Sequence, residues 1–145
     1  MSLKSSFMAL LAIAILWSCG VQTAPKIEVT TLVKTTQSWN AAALPDYLQS
    51  TPEVTVLKIT IPPKTKLPIH KHPVINSGYM LQGELTVMSQ TGDTLYLKEG
   101  DVIVEMVNTW HHGENNGTVP VEIVVFYAGN VDTPITILQG QDKSQ

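Results

Sequence analysis

The chain has 145 residues and a formal net charge of −3, and its nine basic residues are all lysines. A chain of this length suits one globular domain with its own apolar core. Because it has no basic cluster and no arginine, whose planar guanidinium grips phosphates and carboxylates, we expect no nucleic-acid partner.

The first residues have the features of an export signal. Lys4 precedes an unbroken apolar run, residues 7–17, which is shorter than the roughly 20 residues that span a bilayer. Leu16-Trp17-Ser18-Cys19 then resembles the cleavage box of bacterial lipoproteins, which implies that Cys19 becomes the lipid-modified first residue. The alternative is a signal cut elsewhere, near Ala24, with Cys19 left as a free thiol.

This interpretation divides the chain into three parts. Residues 1–19 are the signal peptide, residues 20–26 are a tether, and residues 27–145 are a single domain. We therefore expect an exported protein, either periplasmic or associated with the outer membrane, that touches the membrane only through a lipid anchor.

The remainder of the chain reads as short strands separated by turn-forming residues. Glycine, proline and asparagine recur between the segments, as in Pro62-Pro63, and no internal repeat is visible. Evenly spaced short strands of this kind predict an all-β sandwich or barrel. In chain order, the strand candidates are residues 54–61, 79–88, 95–97, 102–107 and 121–127.

The four histidines lie in two short segments, His70-Lys71-His72 and His111-His112. Side chains alternate along a strand, so the first pair faces one way, whereas His111 and His112 face opposite ways. Two neutral imidazoles on one face, joined by a third from a distant strand, make most of a first-row metal site. If His111 points inward, we expect His112 at the surface.

The spacing around both segments resembles the two sequence motifs of the cupin superfamily. In the first motif, His70, His72 and Gly83 are in register, while Asn76 takes the glutamate position and Lys64 the leading glycine position. In the second motif, the matching residues are Gly100, His111 and Asn115, with Met106 in the proline position and Asn108 in the glycine position. The resemblance covers residues 53–128 and implies a single-domain cupin, a jelly-roll barrel or double-stranded β-helix.

The resemblance implies one divalent metal ion bound by His70, His72 and His111. The usual fourth ligand is a carboxylate, and a neutral amide at Asn76 favours ions that prefer imidazole, namely iron(II), zinc, nickel or copper. Three roles stay open for Asn76: it binds the ion through its amide oxygen, it hydrogen-bonds a metal-bound water, or it merely supports its strand.

Strand alternation also predicts a pocket. If Asn76 faces inward, so do Gly78, Met80 and Gln82, and Gly78 would leave space close to the metal. Met106, Trp110, Phe126 and Tyr127 would add apolar surface, which gives a small pocket without arginine. Glu105 is either a general base beside the metal or a solvated carboxylate at the rim.

Two classes of function follow. The first is a metal-dependent dioxygenase that acts on a small, metal-chelating organic molecule; the second is a non-catalytic cupin that binds or senses a small ligand. Cupin barrels commonly pair through their outer strands, and residues 27–39 can supply an extra strand at a sheet edge. We therefore also expect a homodimer.

Overall fold

The structure, a computed structural model, describes residues 26–141, so Cys19 and the predicted signal lie outside the described residues. The chain divides into two units, Met1–Thr30 and Thr31–Gln145. Residues 26–30 of the first unit are exposed and carry no regular secondary structure. Within the described part of the chain, no helix is long and apolar enough to cross a membrane.

The described residues of the second unit form ten strands and no helix, which confirms the all-β prediction. Residues 31–35 form no strand, and Gln37 makes only an isolated bridge to Ala43, so this part of the expected extra strand is absent from the single chain. The strands are β1 Pro52–Ile61, β2 Thr65–Lys66, β3 His70–Lys71, β4 Ile75–Gln82, β5 Glu84–Ser89, β6 Thr94–Lys98, β7 Val102–Val104, β8 His111–Asn115, β9 Val121–Asn130 and β10 Ile137–Leu138.

The strands form two antiparallel sheets. One has the order β1-β9-β4-β7; the other has the order β10-β3-β8-β5-β6, with β2 paired to β8. Alternate side chains of both sheets turn toward a shared apolar core, as the period of two in a strand requires. Its buried members include Ile61, Val74, Val87, Ile103 and Ile123.

The predicted strand at residues 79–88 is in fact the meeting of two strands, β4 and β5. Gly83 separates them with a φ of +81°, and a Cβ at this position would lie 2.8 Å from the carbonyl oxygen of Pro120. The β4–β9 register also shifts between Met80 and Gln82. This irregularity ends the alternation, so the expectation that Gln82 faces inward is wrong, and its side chain is exposed.

Two positions where the cupin pattern has glycine are held by other residues in the left-handed region. Asn108 has a φ of +56°, and Lys64 has a φ of +56°. Asparagine tolerates this conformation better than most side chains. The predicted strand 102–107 is shorter in the structure, since β7 ends at Val104; the turn at Asn108 then precedes β8, which begins at His111.

Asn115 joins the end of β8 to its surroundings. Its side chain is 1% exposed, and Nδ2 donates to the carbonyls of Ile61 and Val119 at 3.0 and 2.9 Å. Its Oδ1 accepts the N–H of Gly117 at 3.0 Å. The matching asparagine of the second motif thus has a structural role: it closes the turn after β8 and ties it to β1.

Asn115→Ala should lower the free energy of unfolding by about 3 kcal/mol, because buried carbonyls lose their donor. The matched control is Asn116→Ala at the exposed neighbour, which should change stability by no more than about 0.5 kcal/mol. Urea unfolding of both variants measures the difference. Equal stability of the two variants would contradict this role for Asn115.

Candidate metal centre

The fold brings three of the four histidines together. His70 on β3 is the direct cross-strand neighbour of His111 on β8, and His72 follows in an isolated bridge to Val107. Their ring centroids lie 4.5–5.2 Å apart. One ring nitrogen of each histidine lies within 4.8 Å of the corresponding nitrogens of the other two.

Backbone carbonyls fix the tautomer of each ring. A carbonyl oxygen can only accept a hydrogen bond, so each Nδ1 carries the proton and each Nε2 keeps a bare lone pair. This is the form of histidine that binds a metal through Nε2. The Nδ1 atoms of His70, His72 and His111 donate to the carbonyls of Pro68, Ile135 and Thr109 at 2.8, 2.7 and 2.8 Å.

Burial also keeps these rings neutral. It lowers the pKa of His70 and of His111, and it lowers the pKa of His72 to about 3. Since protonation and metal binding compete for the same nitrogen, a lowered pKa favours the ligand form near neutral pH.

Several buried polar atoms at this place have no hydrogen-bond partner among the described residues. They are Nε2 of His111, Oε2 of Glu105 and both amide atoms of Asn76. Buried polar atoms are normally satisfied, so such a cluster indicates a ligand or an ion. The donor set, with imidazole nitrogens and an amide, fits one divalent first-row ion. The Asn76 side chain bonds to no strand neighbour, so its position disfavours a purely supporting role.

Glu105 lies inside the site rather than at a solvated rim. Its side chain is 13% exposed, and Oε2 lies 3.6 Å from Nε2 of His111. Its backbone N–H donates to the carbonyl of Asn76 at 3.1 Å, which places it beside β4. Burial raises the pKa of Glu105 to about 7.

His112 points to the other side of β8, away from the three rings. Its Nε2 lies 3.2 Å from Oε1 of Glu114, and Lys66 pairs with the same carboxylate at 2.9 Å. Alternation along β8 therefore separates the two neighbouring histidines, as expected.

The histidines face a cavity of about 240 Å³. Its lining is mainly aliphatic, and the described lining residues include no lysine or arginine. They are Leu57, Ile59, Ile61, Leu67, Pro68, His70, His72, Asn76, Leu85, Val87, Ile103, Glu105, His111, Gly113, Ile123, Val125, Tyr127, Thr136 and Leu138.

Four predicted pocket residues do not line this cavity, and those predictions are wrong. Gly78 faces inward, but Ile103 and Ile123 cover it: a Cβ there would lie 2.7 Å from Cδ1 of Ile123. Met80 and Met106 are fully buried by packing outside the cavity. Trp110 turns instead to Lys71, whose Nζ lies 4.6 Å from the ring centroid.

The C-terminal segment contributes to the site in a way that the sequence did not predict. Ile135 supplies the carbonyl for His72, and Oγ1 of Thr136 lies 3.2 Å from the same Nδ1. The Tyr127 ring lies edge-on to His72, with a centroid distance of 5.5 Å. Tyr127 lines the cavity, as expected from the sequence, whereas its neighbour Phe126 is 44% exposed and does not. No motif marks residues 135–136.

Comparison with known proteins agrees with this architecture. Residues 57–127 match the family model for the cupin domain. No curated protein matches the chain. A protein from Klebsiella pneumoniae with a double-stranded β-helix domain is similar in structure, with a TM-score of 0.51 and 18% identity over 78% of this chain and 97% of that one.

A second similar structure is the DMSP lyase DddQ from Ruegeria pomeroyi, with a TM-score of 0.54 and 19% identity over 63% of this chain. An oxalate oxidase in complex with glycolate has a TM-score of 0.51 and 20% identity over 59% of this chain. The chain spans just under half of each, 45% and 46%. At identities this low, structural similarity shows only a shared fold. The fold of this chain is the cupin fold.

We expect each chain to bind one ion, and we expect this binding to require all three imidazole rings. His72→Ala should abolish stoichiometric Zn²⁺ binding, because two imidazoles bind far more weakly than three. His112→Ala, on the outer side of β8, should leave the stoichiometry unchanged. Metal analysis after dialysis measures both, and a His70→Ala, His72→Ala double variant that retains one ion per chain would refute the site.

Proposed function

We propose that this cupin is a metal-dependent enzyme that holds one divalent ion on His70, His72 and His111 and acts on a small organic molecule bound to the same ion. One observation carries the proposal: three imidazoles, each fixed by a backbone carbonyl, turn their bare Nε2 atoms toward a cavity that also contains a buried carboxylate. The ion would be iron, zinc, nickel or copper.

The reaction that we propose is dioxygenation of a chelating substrate. An iron(II) ion would supply, when bound, the redox chemistry that brings dioxygen to such a substrate. Asn76, unlike glutamate, adds no negative charge to the centre, which leaves more of the charge of the ion for an anionic substrate. The described residues that line the cavity include no lysine or arginine that could also bind the negative charge of the substrate.

Glu105 is the proposed proton acceptor. Its carboxylate is buried, has no hydrogen-bond partner on Oε2 and lies 3.6 Å from a proposed ligand nitrogen. A general base must lie within hydrogen-bonding reach of the proton that it removes, and a substrate on the proposed ion would be next to this carboxylate. Glu105 would therefore remove the proton from a substrate hydroxyl or thiol as that group binds.

Glu105→Gln should lower turnover by about 100-fold or more while one ion per chain is retained, because the amide keeps the shape but cannot accept the proton. The matched control is Glu114→Gln on the outer side of β8, which should change turnover little. Oxygen uptake by the chain reconstituted anaerobically with iron(II), over a panel of enolate, catecholate and thiolate chelators, measures turnover.

No uptake above that of free iron with any chelator, together with zinc in protein from its own host, would contradict the proposed enzyme. Such a result would favour the alternative, a cupin that binds or senses a small ligand without a chemical step.

We also propose that the chain is exported, anchored through Cys19, and dimeric. The support for the dimer is the outer face of the first sheet, where Val54, Val56 and Phe126 are 60%, 58% and 44% exposed. Val56 and Phe126 are direct cross-strand neighbours, and β1 is an edge strand. An apolar stripe beside a long free edge is typical of an interface.

Light scattering should give twice the mass of the chain, and Val56→Glu should halve that mass because it would bury a charge at the interface. The outward-facing Thr60→Glu, farther along the same strand, serves as the control for an added charge. A wild-type mass equal to one chain at all concentrations would refute the dimer.

A further inference from the structure

The cavity beneath the histidines is arranged in layers that follow the strand register. Asn76 and Tyr127 are cross-strand neighbours at the level of the histidines. Two residues away along these strands, Val125 of β9 pairs with Gly78 of β4 on one side and with Leu57 of β1 on the other. Two residues further, Ile123 pairs with Ile59. A step of two residues in a strand is roughly 6.6 Å, so the aliphatic part of the cavity extends over two layers.

The opposite sheet repeats this order. His111 lies at the upper level, and two residues later Gly113 pairs with Val87. The backbone N–H of Leu67 donates to the carbonyl of Gly113 at 2.9 Å, which brings a further aliphatic side chain to this layer. Both walls therefore change from polar to aliphatic at the same depth.

The cavity consequently has two chemically different ends. The imidazoles, Asn76 and Glu105 form one end, and the layers below them offer only aliphatic side chains and Gly113. A ligand that places a second charged group in the lower layers would have to bury it without a partner, which costs several kcal/mol. The cavity thus disfavours ligands that carry a second charged group beyond the chelating head.

The size of the cavity sets the size of the apolar part of a ligand. An engineered cavity of about 150 Å³ lined by aliphatic and aromatic side chains takes up benzene. The cavity in this chain has about 240 Å³, part of which a metal ion and its ligand head would use. The remainder suits one six-membered ring or a branched chain of similar volume.

We infer that the ligand of this site has one oxygen or sulfur chelating head and a single apolar body of about the size of a phenyl ring, with the head at the histidines and the body in the two aliphatic layers. This inference rests on the proposed metal site and specifies which molecules that site accepts. Such a ligand has no second charged group for the cavity to bind, which agrees with the absence of lysine and arginine from the described lining.

Access to the cavity is marked by its exposed lining residues, Leu57, Pro68 and Thr136. Leu57 is 37% exposed, belongs to the edge strand β1 and lies in the first aliphatic layer. A larger side chain in place of Leu57 would fit at the opening of the cavity. It would also occupy part of the space that the apolar body of the ligand needs. Thr60 on the same strand faces outward and is exposed, which makes it a matched control.

The test compares two hydroxamates, which carry the same chelating head, on the chain loaded with Zn²⁺. Acetohydroxamate has a methyl group as its body and benzohydroxamate has a phenyl ring. Burial of the ring should make benzohydroxamate bind at least about tenfold more tightly, after correction for the affinities of the two compounds for free Zn²⁺. Isothermal titration calorimetry measures both dissociation constants.

Leu57→Trp should remove most of this tenfold preference and leave acetohydroxamate binding within about threefold, whereas Thr60→Trp should change neither. Val87→Phe, on the opposite wall, is the second variant if Leu57→Trp does not fold. Equal corrected affinities of the two hydroxamates for the wild-type chain would overturn the inference while the metal site stands. Loss of the preference in Thr60→Trp as well would also overturn it, and failure to load Zn²⁺ would instead overturn the proposed function.

Discussion

Three hydrogen bonds from imidazole Nδ1 atoms to backbone carbonyls are the constraint on which the site depends. Two of them are local, since His70 and His111 each bond to the residue two positions earlier in the chain. The third is long-range: His72 bonds to Ile135, in the segment that leads to β10. Without these carbonyls each ring could present either nitrogen, and the three lone pairs would not converge. The C-terminal segment thus belongs to the site although it contributes no proposed ligand.

The electrostatic design of the site combines neutral donors with one buried acid. Asn76 occupies the place where the cupin pattern has a carboxylate, and Glu105 brings a carboxylate to the neighbouring position through its backbone bond to Asn76. A carboxylate is therefore present, but it lies beside His111 rather than on β4. Below this level both walls are aliphatic, so the polar chemistry is confined to one end of the cavity. This separation connects the proposed proton transfer to the proposed choice of ligand.

Much of the fold and the histidine set could be predicted from the sequence, because both depend on local periodicity. The alternation of apolar and polar residues identifies β1 and β9, and a spacing of two residues places His70 and His72 on one face. The pocket predictions at Gly78 and Met80 failed for a different reason: alternation says which side of a sheet a residue faces, but not which neighbour covers it. Ile103 and Ile123 come from other strands and fill the space over Gly78. Ile135 was missed because its role depends on a backbone carbonyl, which leaves no mark in the sequence.

The most direct test of the central claim is X-ray absorption at the metal edge on protein purified from its own host. We expect one divalent first-row ion per chain with a first shell of nitrogen and oxygen only, at about 2.0–2.2 Å, and with multiple-scattering features of three imidazole rings. A shell with sulfur ligands, a fit with fewer than three imidazoles, or protein without stoichiometric metal would contradict it.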